Sequence, residues 1–191
     1  MIKINSKVTP QQLQLKKPVV LVGLMGAGKT TIGRRLAQQL DMEFIDSDQE
    51  ICEAAGCDIS DIFDIYGEDA FRDLEKRVMK RLLNKKNCVI ATGGGAFIQE
   101  HIRTQILDKS IAVWLRAELD VLLERVSRRD TRPLLRGGDR KSIMKRLMDE
   151  RYPIYEQAHL TVDSNDGAHE TVVDKIIEEL GCMVQPVKAS S

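Results

Sequence analysis

Val19-Val20-Leu21-Val22-Gly23-Leu24-Met25-Gly26-Ala27-Gly28-Lys29-Thr30 is the stretch that decides the fold. Its first four residues form an apolar, β-branched run. Such a run suits a strand buried on both faces of a parallel sheet. From Gly23 the letters match G-x-x-x-x-G-K-[ST] without a gap, after a strand and at the start of a helix, which is the context the motif needs. Glycines let successive backbone N–H groups curl around a phosphate. The helix N-terminus adds partial positive charge at the same place. Lys29 is expected to reach the β- and γ-phosphates of a nucleotide, and the Thr30 hydroxyl to ligate Mg2+. The nucleotide-binding set read from this loop is Gly26, Ala27, Gly28, Lys29, Thr30 and Thr31. A Gly-rich turn that only happens to precede a helix is the bland alternative, and the correct flanks disfavour it.

Working outward, Ile32, Leu36 and Leu40 recur every fourth residue and mark the helix that follows the loop. Phe44-Ile45 reads as a short strand ending in Asp46, and a polar helical stretch begins near Asp48. Phe71, Leu74, Val78 and Leu82 share a face of a helix from about Asp69 to Leu83. Cys88–Ala91 is a third strand, ending in Thr92-Gly93-Gly94-Gly95. Ile98–Leu107 looks helical, Ile111–Leu115 is a fourth strand, and Leu119, Leu122, Leu123 and Val126 mark the next helix. A loop over Arg128–Arg140, a helix from about Lys141 to Ala158, a fifth strand at Leu160–Val162 and a helix through Val172–Leu180 complete the pattern. Strands alternating with helices imply an α/β fold with a parallel sheet covered on both faces. Its connections are right-handed, and ligands bind beyond the carboxyl ends of its strands. One unit over 18–180 is expected, with a polar extension over 1–17, a short tail over 181–191 and no internal repeat.

Bulk properties narrow the function. Lys plus Arg and Asp plus Glu both count 29 of the 191 residues, so the chain lacks the basic footprint of a nucleic-acid binder. Cys52, Cys57, Cys88 and Cys182 show no C-x-x-C spacing, so neither zinc nor a disulfide framework is implied. The first residues carry no signal-peptide core, and no apolar run is long enough to span a bilayer. A soluble, cytoplasmic, monomeric protein is the expectation.

Phosphate loops also serve switches and motors. The nearest string to a guanine-reading N-K-x-D is Asn84-Lys85-Lys86-Asn87, which lacks the acid and precedes a strand. Asp64-Ile65-Tyr66-Gly67 spells D-x-x-G, but in a helical stretch with no strand before it. The third strand ends in Thr92-Gly93-Gly94-Gly95 instead of the acid a motor needs there. A small-molecule kinase fits better. Arg125, Arg128, Arg129, Arg132, Arg136, Arg140 and Lys141 crowd one segment with Gly137-Gly138. In a phosphate-loop chain this reads as a lid, over about 128–140, that closes on the triphosphate, neutralises charge and excludes water. Taken alone it is a solvated charged loop. Asp46-Ser47-Asp48 sits at a strand end, where one carboxylate can hold Mg2+ and the other can accept a hydroxyl proton. A helix N-cap is the competing reading. Arg72 and Arg151, near a Gly-Gly-Gly turn, would suit a carboxylate, although a surface ion pair explains Arg72 as well.

Six short motifs, in order and in register, carry a closer resemblance. They are Gly23–Thr30, Asp46-Ser47-Asp48, Phe71-Arg72-Asp73-Leu74-Glu75, Thr92-Gly93-Gly94-Gly95, Arg132-Pro133-Leu134-Leu135 and Arg151-Tyr152-Pro153-Ile154-Tyr155. Across roughly residues 18–180 the chain resembles the shikimate kinases. The resemblance implies a nucleoside-monophosphate-kinase-like P-loop fold, a three-layer sandwich with strand order 2-3-1-4-5. It implies transfer of the ATP γ-phosphoryl group to the 3-hydroxyl of shikimate, with Mg2+, on the way to chorismate and the aromatic amino acids. It casts Lys29, Asp48 and Arg132 as catalytic, with Asp48 as base and Arg132 as the lid arginine. Asp48, Arg72, Gly93, Gly94, Gly95 and Arg151 would bind shikimate, the two arginines at its carboxylate. Arg125 would lie near the adenine, and Thr30 and Asp46 would serve Mg2+. The extension, the tail and the unusually charged Arg128–Thr131 fall outside the family pattern. The runner-up is a kinase of similar build acting on another acid such as gluconate. A catalytically dead scaffold would have lost Lys29, Asp48 or Arg132, and a nucleic-acid ATPase would be basic overall. His101, His159 and His169 read as surface or helix-face residues, and Trp114 as core.

Overall fold

In the computed structural model, which describes residues 13, 15–127, 139–165 and 168–184, the apolar run Val19–Val22 is the central strand β1. All four of its residues are fully buried, which only a strand covered on both faces achieves. Its neighbours are β3 (Cys88–Ala91) and β4 (Ile111–Arg116), both parallel to it. β2 (Glu43–Asp46) pairs with β3, and β5 (Leu160–Asp163) with β4. The resulting order, β2-β3-β1-β4-β5, is the one the resemblance implied.

Helix α1 (Lys29–Leu40) begins where the phosphate loop ends and buries Ile32, Leu36 and Leu40 against the sheet. Each such burial stabilises the fold by about 1.5–3 kcal/mol. The loop can turn into this helix because Gly28, its N-cap, sits at φ 91°, a conformation open to glycine but strained for other residues. Helices α2 (Ser47–Ala55) and α3 (Ile59–Leu82) follow β2 and pack on each other. α4 (Glu100–Lys109), α5 (Leu119–Ser127), α6 (Arg140–Tyr155) and α7 (His169–Val184) complete the layers. Trp114 is buried in β4 as expected, and Met144 is buried on α6.

Three boundaries differ from the sequence reading. The helix expected from Asp69 extends back to Ile59, but Gly67 (φ 80°, ψ 174°) breaks it into two segments. The helix expected from Ile98 starts instead at Glu100, because the turn after Gly95 winds as a short 3-10 segment, Ala96–Ile98. The last helix runs on to Val184, beyond the point where a tail was expected. Arg132 and most of the expected lid lie outside the described residues, as does nearly all of the N-terminal extension. Among the described residues, no helix is long and apolar enough to cross a membrane.

Candidate active site

The carboxyl ends of β1, β2 and β3 meet at one cavity of about 300 Å3. It is lined by Gly26, Gly28, Lys29, Thr30 and Thr31 on one side and by Asp46, Asp48, Thr92, Gly93 and Gly94 on the other. Lys29 is only 9 % exposed, and its Nζ donates to the carbonyls of Gly23 (2.7 Å) and Leu24 (2.9 Å). The ammonium is thus held within the loop, beside the N-terminus of α1, where an anion is favoured. Ala27 faces away from this space: it is buried, its N–H donates to Leu24 O, and its carbonyl accepts from the Ser164 hydroxyl at 2.9 Å.

Asp46 unites two readings that the sequence left as alternatives. Its Oδ1 accepts from the backbone N–H of Asp48 (3.1 Å), capping α2, while Oδ2 accepts from the Thr30 hydroxyl (2.9 Å). A hydroxyl and a carboxylate at this separation supply part of a Mg2+ shell, leaving the remainder to phosphate oxygens and water. Among the described residues there is no cluster of three or more His, Cys, Asp or Glu fit for a metal.

The glycine run after β3 makes room for the acidic and basic groups around it. A Cβ on Gly93 would stand 2.5 Å from Asp48 Oδ1, and one on Gly95 would stand 2.9 Å from Arg72 Nη1. Side chains there would push both functional groups away. The run is also tied down. The Gly93 N–H donates to the buried Ser47 hydroxyl (3.1 Å), and the Thr92 hydroxyl donates to Leu21 O (2.9 Å). Gly94 O accepts from the hydroxyl of fully buried Tyr155 and, at a long 3.4 Å, from Arg151 Nη1. Burial pushes the Tyr155 phenol well above its ordinary pKa, so it stays a donor. Arg72 and Arg151 therefore both reach the same glycine run, although neither lines the cavity itself.

Arg72 has the close ion partners that the sequence reading did not identify. Nη1 donates to Glu75 Oε2 at 2.9 Å, and Glu68 approaches from one turn earlier on α3. Glu75 is 1 % exposed and also accepts from the Gln99 amide. Burial raises its pKa, with Arg72 and Gln99 acting in the opposite direction. Burial by itself would lower the pKa of Arg72, but the two carboxylates more than offset it, and the guanidinium is held firmly charged.

At the other end of the cavity lie Arg125, Val126 and His169. Arg125 Nη1 donates to Ser164 O (2.8 Å) and Ser164 Oγ (3.2 Å), which anchors it to the end of β5 beside Ala27. His169, expected as a surface or helix-face residue, lines the cavity from the first residue of α7. His159 holds the fold: its Nδ1 accepts from the Ala112 N–H at 2.9 Å. The sequence reading assigned no role to Ser47, Tyr155, Glu75, Ser164 or His169. Ser47, Glu75 and Tyr155 lie inside the quoted motifs, so spacing alone could have flagged them; Ser164 and His169 carried no signal.

A phosphate loop on this strand order, facing a hydroxyl–carboxylate pair and a basic rim, defines a P-loop phosphotransferase. A family model described as shikimate kinase matches residues 25–181. The chain belongs to the shikimate kinase family. A shikimate kinase of Brucella canis is 48 % identical over 183 residues, 96 % of this chain and 92 % of that one. One of Rhodopseudomonas palustris is 48 % identical over 177 residues, 90 % of this chain and 87 % of that one. A solved shikimate kinase from Acinetobacter baumannii, in complex with shikimate, superposes with a TM-score of 0.87 at 36 % identity, covering 93 % of this chain and 99 % of the other. A gluconokinase from Sinorhizobium meliloti shares the fold more distantly, with a TM-score of 0.59 at 18 % identity, covering 88 % of this chain and 93 % of its own.

Proposed function

We propose that the chain transfers the γ-phosphoryl group of ATP to the 3-hydroxyl of shikimate, giving ADP and shikimate 3-phosphate in the shikimate pathway. Family membership and the relatives named above support a kinase acting on shikimate. The observation that carries the site assignment is Asp48, set against the glycine run in the same cavity as Lys29 and Thr30.

Asp48 accepts the proton of the 3-hydroxyl as its oxygen bonds to the γ-phosphorus and the bond to the β–γ bridging oxygen breaks. Lys29 exchanges its carbonyl partners for β- and γ-phosphate oxygens as the nucleotide arrives. The N–H groups of Gly26, Gly28, Lys29, Thr30 and Thr31 cradle the phosphates, with Ala27 holding the turn. Arg125 lies along the nucleobase. Arg72 and Arg151 grip the carboxylate of shikimate, and Gly93, Gly94 and Gly95 let its ring approach. Thr30 and Asp46 would hold Mg2+, which would screen the phosphate charge. Arg132, outside the described residues, completes the reading as the lid arginine. The residues of this reading all fall within about 18–180, and a cytoplasmic monomer is the working form proposed for it.

An ADP-release assay with ATP and Mg2+ tests this, with shikimate run beside gluconate and nucleoside monophosphates. Release that depends on shikimate alone is expected. Release with another acceptor instead would discard the roles of Arg72 and Arg151, and none with any acceptor, from folded protein that binds ATP, would discard the kinase.

A further inference from the structure

Arg72 presents two edges, and its own helix occupies both. Nη1 is taken by Glu75 at 2.9 Å, while Nε and Nη2 both donate to Glu68 Oε1, at 3.2 and 2.9 Å. The two partners differ in kind. Glu75 is buried and shared with Gln99, so it cannot leave without stranding a charge. Glu68 is 64 % exposed, and water can receive it at once. A guanidinium binds a carboxylate best through a pair of parallel N–H donors. With Nη1 committed to Glu75, the Nε–Nη2 edge is the pair left for an incoming carboxylate, and Glu68 sits on it.

We propose that Glu68 is an internal stand-in for the acceptor's carboxylate. It occupies the Nε–Nη2 edge of Arg72, and the ligand's carboxylate displaces it on binding. This rests on the reading of Arg72 as the carboxylate grip. The local backbone suits the exchange. Gly67, immediately before Glu68, breaks the helix with φ 80° and ψ 174°, and a Cβ there would meet nothing within 4 Å. The second helical segment starts just past this glycine, and Glu68 is at that start. The exchange also sets a threshold for selection. An acceptor with a carboxylate replaces one charge partner by another, whereas an uncharged one leaves Glu68 in place and gains nothing from Arg72.

The test is calorimetric titration of the full chain with shikimate and with its methyl ester, for the wild type, Glu68→Gln and Glu68→Ala. Exposed pairs of this kind compete weakly, so removing one should tighten shikimate binding about two- to five-fold, at least as much in Glu68→Ala as in Glu68→Gln. Binding of the ester should not change. A merely structural role for Glu68 would weaken binding of both ligands when it is removed. Unchanged or weaker shikimate binding in folded variants overturns the proposal. So does a tightening shared equally by the ester, because displacement of Glu68 would then not depend on a carboxylate. A wild-type chain that binds the ester as well as shikimate would sink the reading of Arg72 itself, and the stand-in with it.

Discussion

Gly93→Ala puts the geometry of the proposed base to a direct test. The added Cβ would lie 2.5 Å from Asp48 Oδ1, 3.4 Å from its Cγ and 3.6 Å from Oδ2. Van der Waals contact needs roughly 3.5 Å, so the near oxygen must retreat by about 1 Å. Asp48 is half-buried and faces the cavity, so its carboxylate has somewhere to go. Gly93 is not among the glycines at positive φ, so alanine meets no backbone strain. The stability cost should then fall below the ~1–3 kcal/mol of a forced overpacking. Catalysis has no such escape. A displacement of about 1 Å in a reacting group costs about 10²-fold, or ~2.7 kcal/mol of barrier. The assay is ADP release at saturating ATP with shikimate varied, with thermal unfolding of the same sample alongside. We expect kcat/KM to fall about 100-fold with little change in Tm, comparable to Asp48→Asn. A folded Gly93→Ala protein within about threefold of the wild type would show that the position of this carboxylate does not govern the reaction.

Two further outcomes follow from the surroundings of the site. Tyr155→Phe removes a buried donor from Gly94 O and leaves only the long contact from Arg151; denaturant unfolding should show a loss of about 1 kcal/mol, accompanied by a higher KM for shikimate. If both stay unchanged, Tyr155 is not what holds the glycine run. His159 has its pKa depressed below 6.5, by partial burial first and by Lys17 second, and must be neutral to accept from Ala112 N–H. The unfolded chain therefore binds more protons as pH falls below about 6.5, so stability present above that value is lost on acidification. His159→Asn should flatten that part of a Tm-against-pH curve, and an unaltered slope would place its cause elsewhere.

The parts of the molecule legible in the sequence were those whose residues carry their own rule. Val19–Val22, short, β-branched and ended by Gly23, suited a strand buried on both sides, and Gly23–Thr30 fixes the turn and helix that follow. The strand order was different: periodicity placed five strands, but their arrangement came only with the family resemblance. Glu68 escaped because an acid four residues before an arginine on a helix is ordinary, and its meaning depends on which guanidinium edge the buried Glu75 has already taken. His169 escaped because the face of a helix says nothing about what its first residue overlooks. Gly67 showed the limit of a helical pattern, since the apolar spacing continues on both sides of a break that only backbone angles reveal.

The place of β1 in the sheet also has a consequence for how the chain is made. Val19–Val22 leaves the ribosome first among the strands, yet its partners are Val89–Ala91 and Ile111–Trp114. Translation proceeds at roughly 5–20 residues per second, so the interval between Val22 and Ala91 lasts roughly 3–14 s. Throughout it, the apolar strand β1 lacks both of its native partners, although α1, which packs on it, has already been made. The sheet's centre is thus its earliest-made strand, yet it gains its first partner only with β3 and its second only with β4, and until β3 emerges its apolar edges are open to aggregation.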